Sequence, residues 1–211
     1  METVRIIRLF SSRTSSFSYP VEKGDAMENL DALTAIFTRR SIRKFSPRST
    51  DEQTQNILLR AALAAPSAEN ARTKHFIVIS SRDKLDLLPT LHPSAGPARE
   101  APLAILICCD TSAEPQTVFW PQDCAAAAQN IMLAARALGL GSLWCGIHPV
   151  EAREQAFISA FSLPGMVRPA GLIILGYPLQ DFFEEKRYDS RFLHADTWKS
   201  AYPPASAPDA E

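Results

Sequence analysis

The spacing of apolar and polar positions divides the chain into helical and extended stretches. Between Glu28 and Thr38 apolar residues fall at Leu30, Leu33, Ile36 and Phe37, the spacing of one helix face. Thr50 with Gln53 three residues on forms a capping-box signature, opening a helix to about Ala65 that Pro66 ends. His75–Ser80, HFIVIS, is a β-branched run and reads as a strand. A helix near Arg82–Leu91 follows, then a Pro/Gly loop from Pro93 to Pro102. Leu103–Cys109, LAILICC, is apolar without a break, the mark of a strand covered on both faces. Glu151–Phe161 reads as an amphipathic helix and Ala170–Gly176, AGLIILG, as the last buried strand.

The longest uniform stretch is Trp120–Ile147, WPQDCAAAAQNIMLAARALGLGSLWCGI. Pro121 suits a helix's first turn, and Asp123 sits where the positive end of the dipole favours an anion. From Cys124 to Leu138 apolar side chains lie all round, as in a helix buried on every side. Gln129, Asn130 and Arg136 interrupt the run, which falls short of the ~20 apolar residues a bilayer needs. It is therefore expected to be the central core helix, its four alanines Ala125–Ala128 allowing close approach of another helix and Gly139 closing it. Ser142–Ile147 follows as a short strand or extended loop, bracketed by Gly141 and Gly146, glycines that let a backbone come close to a flat ligand.

These elements predict an α+β domain with helices on both faces of one sheet. With 211 residues the chain can bury a sizeable core, and 46% hydrophobic with 21% charged residues is ordinary globular composition. The domain is expected over residues 27–200, with a loosely ordered extension over 1–26 and a disordered tail over 201–211. A net charge of −1 gives no reason to expect nucleic acid, and no segment reads as a membrane span. Cys108, Cys109, Cys124 and Cys145 have neither CxxC nor zinc spacing and read as reduced core cysteines of a cytoplasmic protein. No metal site is expected, and His75, His92, His148 and His194 read as surface or packed histidines.

Four stretches could carry chemistry. If RRSIR is extended, Arg39, Ser41 and Arg43 line one side over roughly 13 Å, with Arg40 between them. Two guanidiniums flanking a hydroxyl suit a phosphate with a long polar tail. A solvated charged turn that caps the preceding helix fits the same pentapeptide. Pro66–Asn70 offers Ser67 and the Asn70 amide to a heterocycle, or is an ordinary turn. Trp144-Cys145-Gly146 presents a backbone N–H beside glycine, or is simply core packing. Lys186-Arg187 with Arg191 is a second basic cluster or a solvated face. Glycine-rich phosphate loops are absent.

Taken in order, RRSIRKF, APSAEN, DCAAAAQNIMLAARALGLGSLWCGI, LGYP and RYDSRFLHADTW resemble the nitroreductase family of FMN-dependent oxidoreductases, from about Leu30 to Trp198. The resemblance implies a three-layer α-β-α fold with a mixed central sheet and a buried central helix. It also implies a homodimer with FMN at the subunit interface. Arg39 and Ser41 match the family's phosphate ligands, and Arg187 the late basic residue that reaches the same phosphate. Arg43 matches a cation near the flavin's pyrimidine edge, Asn70 with Ser67 beside it the amide at that edge, and Gly146 the backbone donor to flavin N5. No catalytic side chain is implied, since the cofactor carries the chemistry. Where the family continues from Asn70 with Gln, Pro and Trp, this chain has Arg72, Thr73 and Lys74. Two extra cations would favour an anionic substrate or the additional phosphate of NADPH.

The expected activity passes a hydride from NAD(P)H through FMN to a nitroaromatic, a quinone or a similar electron-poor small molecule. The alternative is a protein that stores or cannibalises FMN without turnover. Pro93–Glu100 and Thr111–Phe119 are the expected lid segments.

Overall fold

The computed structural model describes residues 30–112 and 118–203. The expected extension over 1–26 lies outside them, as does the tail from 204 onward and most of the second expected lid. The first tail residues are ordered: Ala201 bridges His194, and the Tyr202 N–H donates to the Leu193 carbonyl at 3.1 Å.

Among the described residues five α-helices and four strands follow one another: α1 Ala32–Thr38, α2 Glu52–Leu63, β1 Lys74–Ile79, α3 Arg82–Leu91, β2 Leu103–Asp110, α4 Trp120–Ala137, β3 Gly141–Gly146, α5 Glu151–Phe161 and β4 Val167–Gly176. The N-cap of α2 is Asp51, not Thr50: its carboxylate accepts from the Thr54 N–H at 2.6 Å. Thr50 is buried instead, its carbonyl and hydroxyl accepting from the Gln55 amide at 3.2 and 3.3 Å. Asp31 caps α1 in the same way, accepting from Leu33 and Thr34 N–H.

The strands lie in the order β1-β2-β4-β3, antiparallel at every pairing. Among the described residues the sheet's parallel component is one bridge, Ser41 to Ser142. Alternation along β2 splits the core into two layers. Ala104, Leu106 and Cys108 pack with Leu85 and Leu88 of α3 and Phe157 of α5. Leu103, Ile105, Ile107 and Cys109 pack on the other face with Leu58 and Ala62 of α2 and Cys124 and Ile131 of α4. Each such leucine or isoleucine, fully removed from water, contributes ~1.5–3 kcal/mol, so both faces are needed.

Helix α4 is the centre of one layer, with Gln122 and Gln129 its exposed residues. Its alanines Ala127 and Ala128 share a buried cluster with Ala62 and Ala65 of the α2 region, and Asn130 donates to the Ala61 carbonyl at 3.0 Å. The helix closes as a Schellman motif. Gly139 takes φ 72° and donates to Arg136 O, while Leu140 donates to Ala135 O at 2.8 Å. Helix α1 behaves differently: Leu33, Ile36 and Phe37, the apolar face marked by their spacing, are 62%, 46% and 55% exposed. The first expected lid is anchored to the core by Ala95 and Ala98, fully buried around a 3-10 turn, Gly96–Arg99, while Pro93, Ser94, Arg99 and Glu100 are exposed.

Candidate functional site

The segment Arg39–Phe45 is extended and laid along the outer edge of β3. Ile42 N–H donates to the Ser142 carbonyl at 2.9 Å, and Arg43 and Lys44 N–H both donate to Gln180 Oε1. Ile42 and Phe45 point into the core, and Ser41 and Arg43 outward. The contact is close because of Gly141. A Cβ there would stand 2.8 Å from three carbons of Ile42. Gly141 thus makes room for Ile42 rather than for a ligand, which corrects one half of the glycine reading. Gly146 is the other half, and a Cβ built on it meets nothing within 4 Å.

At the start of this segment Arg39, Arg40, Glu185, Lys186, Arg187 and Tyr188 line a cavity of about 630 Å³ with the exposed Ile36 and Phe37. Glu185 bridges Arg40 and Arg187, accepting from Arg187 Nε at 2.7 Å, and the two guanidiniums hold its carboxyl below the usual range. Phe183 lies against Arg40, 4.4 Å from its guanidinium carbon. Arg39 is half-buried and has no carboxylate partner among the described residues. Burial, then repulsion from Arg187 and Arg40, pulls its pKa below the ordinary arginine value. An anion placed here would relieve that repulsion.

At the other end of the segment, Arg43 and Arg153 both act on the Cys145 thiol, which burial first of all pushes up to about 11. The Gly146 carbonyl accepts two hydrogen bonds, from His92 Nε2 at 2.8 Å and Arg153 Nη1 at 2.9 Å. His92 is buried, and its Nδ1 accepts from the Ser94 N–H at 3.0 Å. That fixes the neutral tautomer with its proton on Nε2. Burial, and after it the Arg153 charge, keeps the His92 pKa low, against the bond to Gly146.

Ser67 and Asn70 line a separate cavity of about 460 Å³ with Leu63, Ala64, Ala65, Pro66, Arg72 and Lys74. Its loop is clamped from beneath. Asp123, buried in the first turn of α4, accepts from the Ala68 N–H at 3.0 and 3.2 Å through its two oxygens. Lys74, also buried, donates to the carbonyls of Ala65 and Pro66 at 3.0 and 2.8 Å. Between the clamps Glu69, Asn70 and Arg72 hold φ of 49°, 55° and 55°. Each left-handed non-glycine residue costs ~1–3 kcal/mol and persists where its surroundings over-determine it. The structure thus joins Arg39, Arg40 and Arg187 at one cavity and Ser67 and Asn70 at another, while Ser41, Arg43 and Gly146 lie along the β3 edge.

The description "Nitroreductase family" matches residues 36–95 and 93–177 of this chain. The chain belongs to the nitroreductase family. It is 42% identical over 172 residues to a protein of Methanothermobacter thermautotrophicus named "Putative NADH dehydrogenase/NAD(P)H nitroreductase", covering 82% of this chain and 90% of that one. A solved structure of the same name from Parabacteroides distasonis superposes with a TM-score of 0.76 at 33% identity, over 79% of this chain and 98% of the other. A further nitroreductase, from Desulfovibrio desulfuricans and solved in complex with FMN, gives a TM-score of 0.70 at 30% identity, over 79% and 96%.

Sequence reasoning missed the residues that hold this nitroreductase loop in place. Asp123 is read from its position as a dipole partner, yet its carboxylate spans 55 residues to Ala68. Lys74 is read as a cation near the site, but its ammonium is spent on two carbonyls. Of the two cations that replace the family's usual residues, Arg72 alone remains exposed. Nothing local in the sequence marks His92 as the partner of Gly146. Among the described residues no group of acids, histidines and cysteines is arranged to hold a metal.

Proposed function

We propose that the chain is an NAD(P)H-dependent flavin oxidoreductase that binds FMN and reduces a nitroaromatic, a quinone or a similar electron-poor acceptor. The observation that carries this reading is the convergence of Arg39, Arg40 and Arg187 on one cavity, with Arg39 half-buried and without an acid partner among the described residues. Arg39, the guanidinium that Glu185 does not tie, would lead the contacts to a phosphate monoester, with Arg40 and Arg187 beside it and Glu184 and Glu185 on the same cavity wall, and the edge leading away from them fits the rest of FMN. Ser41 is exposed next along the segment, where it would meet the phosphate, with Arg43 and the open face of Gly146 further along. FMN, when bound, supplies the two-electron carrier between nicotinamide and acceptor. The residues bind, orient and electrostatically bias it. Arg39, Ser41 and Arg187 would take the phosphate, with Arg40 held against Phe183 beside them. Arg43 would place positive charge at the pyrimidine edge, and the Gly146 backbone, its carbonyl held by His92 and Arg153, would face the ring.

Ser67 and Asn70 line a cavity that shares no residue with the arginine cavity. The reading that unites them is a homodimer in which two subunits complete one FMN site. The exposed Leu33, Ile36 and Phe37 of α1, together with Phe183, Tyr188, Phe192 and Trp198 beyond β4, supply the apolar surface such a dimer would cover. Four buried unpaired thiols favour a reducing, cytoplasmic setting, and no described helix is long and apolar enough to cross a membrane.

The test is direct. The purified protein should be yellow, release FMN rather than FAD on heating, and bleach when NADPH is added anaerobically. Absence of flavin would overturn the reading. Flavin that neither bleaches nor passes electrons to menadione would select the storage alternative.

A further inference from the structure

We propose that the cavity between Leu63 and Lys74 is an oxyanion-binding subsite, with Arg72 as its fork, which takes a carboxylate or phosphate carried by a ring-bearing substrate. The inference rests on the oxidoreductase reading and adds the chemical class of what is turned over. Its first support is the division of labour between the two cations. Lys74 is buried and committed to the Ala65 and Pro66 carbonyls, so it is a fixture of the loop. Arg72 is exposed and tethered by one side of its guanidinium only: Nε donates to Asn70 Oδ1 at 3.3 Å. Its backbone N–H donates to Ser67 Oγ at 3.4 Å. No partner of its two terminal nitrogens is found among the described residues, and these are the pair that engages a carboxylate or phosphate bidentately.

The second support is the cavity itself. Its lining divides into an apolar wall, Leu63, Ala64, Ala65 and Pro66, and a polar one, Ser67, Asn70, Arg72 and Lys74. At about 460 Å³ it is the size of a small-ligand site. An apolar wall facing a guanidinium suits a planar ring that bears an anionic group. The loop's acid, Glu69, is not among the lining residues. The third support is the backbone. Arg72 is held at φ 55° within a loop clamped by Asp123 and Lys74, so its Cα is fixed rather than free to swing. The tether has a further effect, because Asn70 Oδ1 is occupied by Arg72, so the Asn70 amide nitrogen is the group that would donate to the flavin.

Two anions of this class are within the chemistry of the reaction, a carboxylate on the acceptor and the 2′-phosphate of NADPH. The experiment compares wild-type holoenzyme with Arg72→Gln and Arg72→Lys in two matched pairs. The first pair is para-nitrobenzoate against para-nitrobenzyl alcohol with NADH as donor. The second is NADPH against NADH with menadione as acceptor. We expect wild type to favour the anionic member of one pair in kcat/KM. Arg72→Gln should lose roughly ten- to hundredfold of that preference, the factor for one charged hydrogen-bonded contact. Arg72→Lys, with charge but no fork, should fall between them. A change in the first ratio assigns the site to the acceptor, and a change in the second assigns it to the nicotinamide. If both ratios stand unchanged, or all rates fall together because Arg72 serves the flavin, the proposal is overturned. Should no combination turn over even in wild type, the oxidoreductase reading fails by itself. Calorimetric titration of para-nitrobenzoate and of adenosine 2′,5′-bisphosphate then decides the subsite, since an unchanged affinity for both in Arg72→Gln removes it.

Discussion

Removing the carboxylate of Asp123 should unfasten the loop Pro66–Asn70 from α4 at a calculable cost. The side chain is 6% exposed and bonds one N–H, that of Ala68, from both oxygens. Asp123→Ala loses a hydrogen bond to a charged group, ~1.5–3 kcal/mol. It also loses an anion from the first turn of an 18-residue helix, about 0.3–1 kcal/mol. The sum is about 2–4 kcal/mol. At a urea m-value of ~2 kcal/mol per molar, the unfolding midpoint should fall by roughly 1–2 M. Freed from its clamp, the loop should relax Glu69, Asn70 and Arg72 out of their left-handed conformations, and FMN should bind more weakly in the same variant. Asp123→Asn keeps an amide oxygen able to accept from Ala68 and should lose less than half as much. Urea denaturation of the three proteins, followed by circular dichroism with and without added FMN, reads both effects. A midpoint for Asp123→Ala equal to wild type, or Asp123→Asn falling as far as Asp123→Ala, would refute the clamp.

Arg39→Ala should weaken FMN binding roughly ten- to hundredfold, measured by fluorescence titration of the apoprotein, with turnover restored by excess FMN. Arg43→Ala should instead lower the potential of bound flavin, by about 30 mV for each 1.4 kcal/mol of stabilisation lost; an unchanged redox titration would place Arg43 elsewhere. Gly141→Ala must push Ile42 from the β3 edge and should cost ~1–3 kcal/mol as overpacking does, whereas Gly146→Ala should leave the melting temperature in place and slow turnover by crowding the flavin face. For His92 the folded pKa lies below the unfolded value of about 6.5, so in that window the unfolded chain binds the extra proton. Its contribution to stability is therefore complete above about pH 6.5 and declines as the pH falls through the folded value. Melting temperatures of wild type should drop on acidification over that range, and those of His92→Gln should be flatter.

Much of the fold is legible because it rests on local signals. The bounds of α3 and α5 follow from their spacing, and Gly139 announces the end of α4. The unbroken apolar run of β2 is explained by core on both of its faces. Local signals fail where the partner is distant. Thr50 and Asp51 compete to cap α2, and only burial of Thr50 decides between them. Gly141 and Gly146 look alike in sequence, yet one faces Ile42 and the other open space. The basic residues of RRSIRKF and of Lys186-Arg187 can be picked out singly, but that Arg39 and Arg187 share a cavity depends on a chain reversal no short motif encodes. The apolar face of α1 is marked by its spacing, and its exposure shows that periodicity reveals which face wants covering without saying what covers it.

The sheet order carries a consequence for the order of synthesis. The last strand the ribosome delivers, β4, lies inside the sheet between β2 and β3. Until residues 167–176 emerge, β1 and β2 can pair with each other, but β3 has no strand to join, and one edge of β2 stays open. Helices α4 and α5 are complete before that point and must wait beside a half-built sheet, with the parts of their apolar faces that meet β4 uncovered. Non-local closure of this kind is slow relative to helix formation and leaves exposed edges in the meantime. A nascent chain stopped at residue 166 should therefore be the form that chaperones hold longest, and ten further residues should release it.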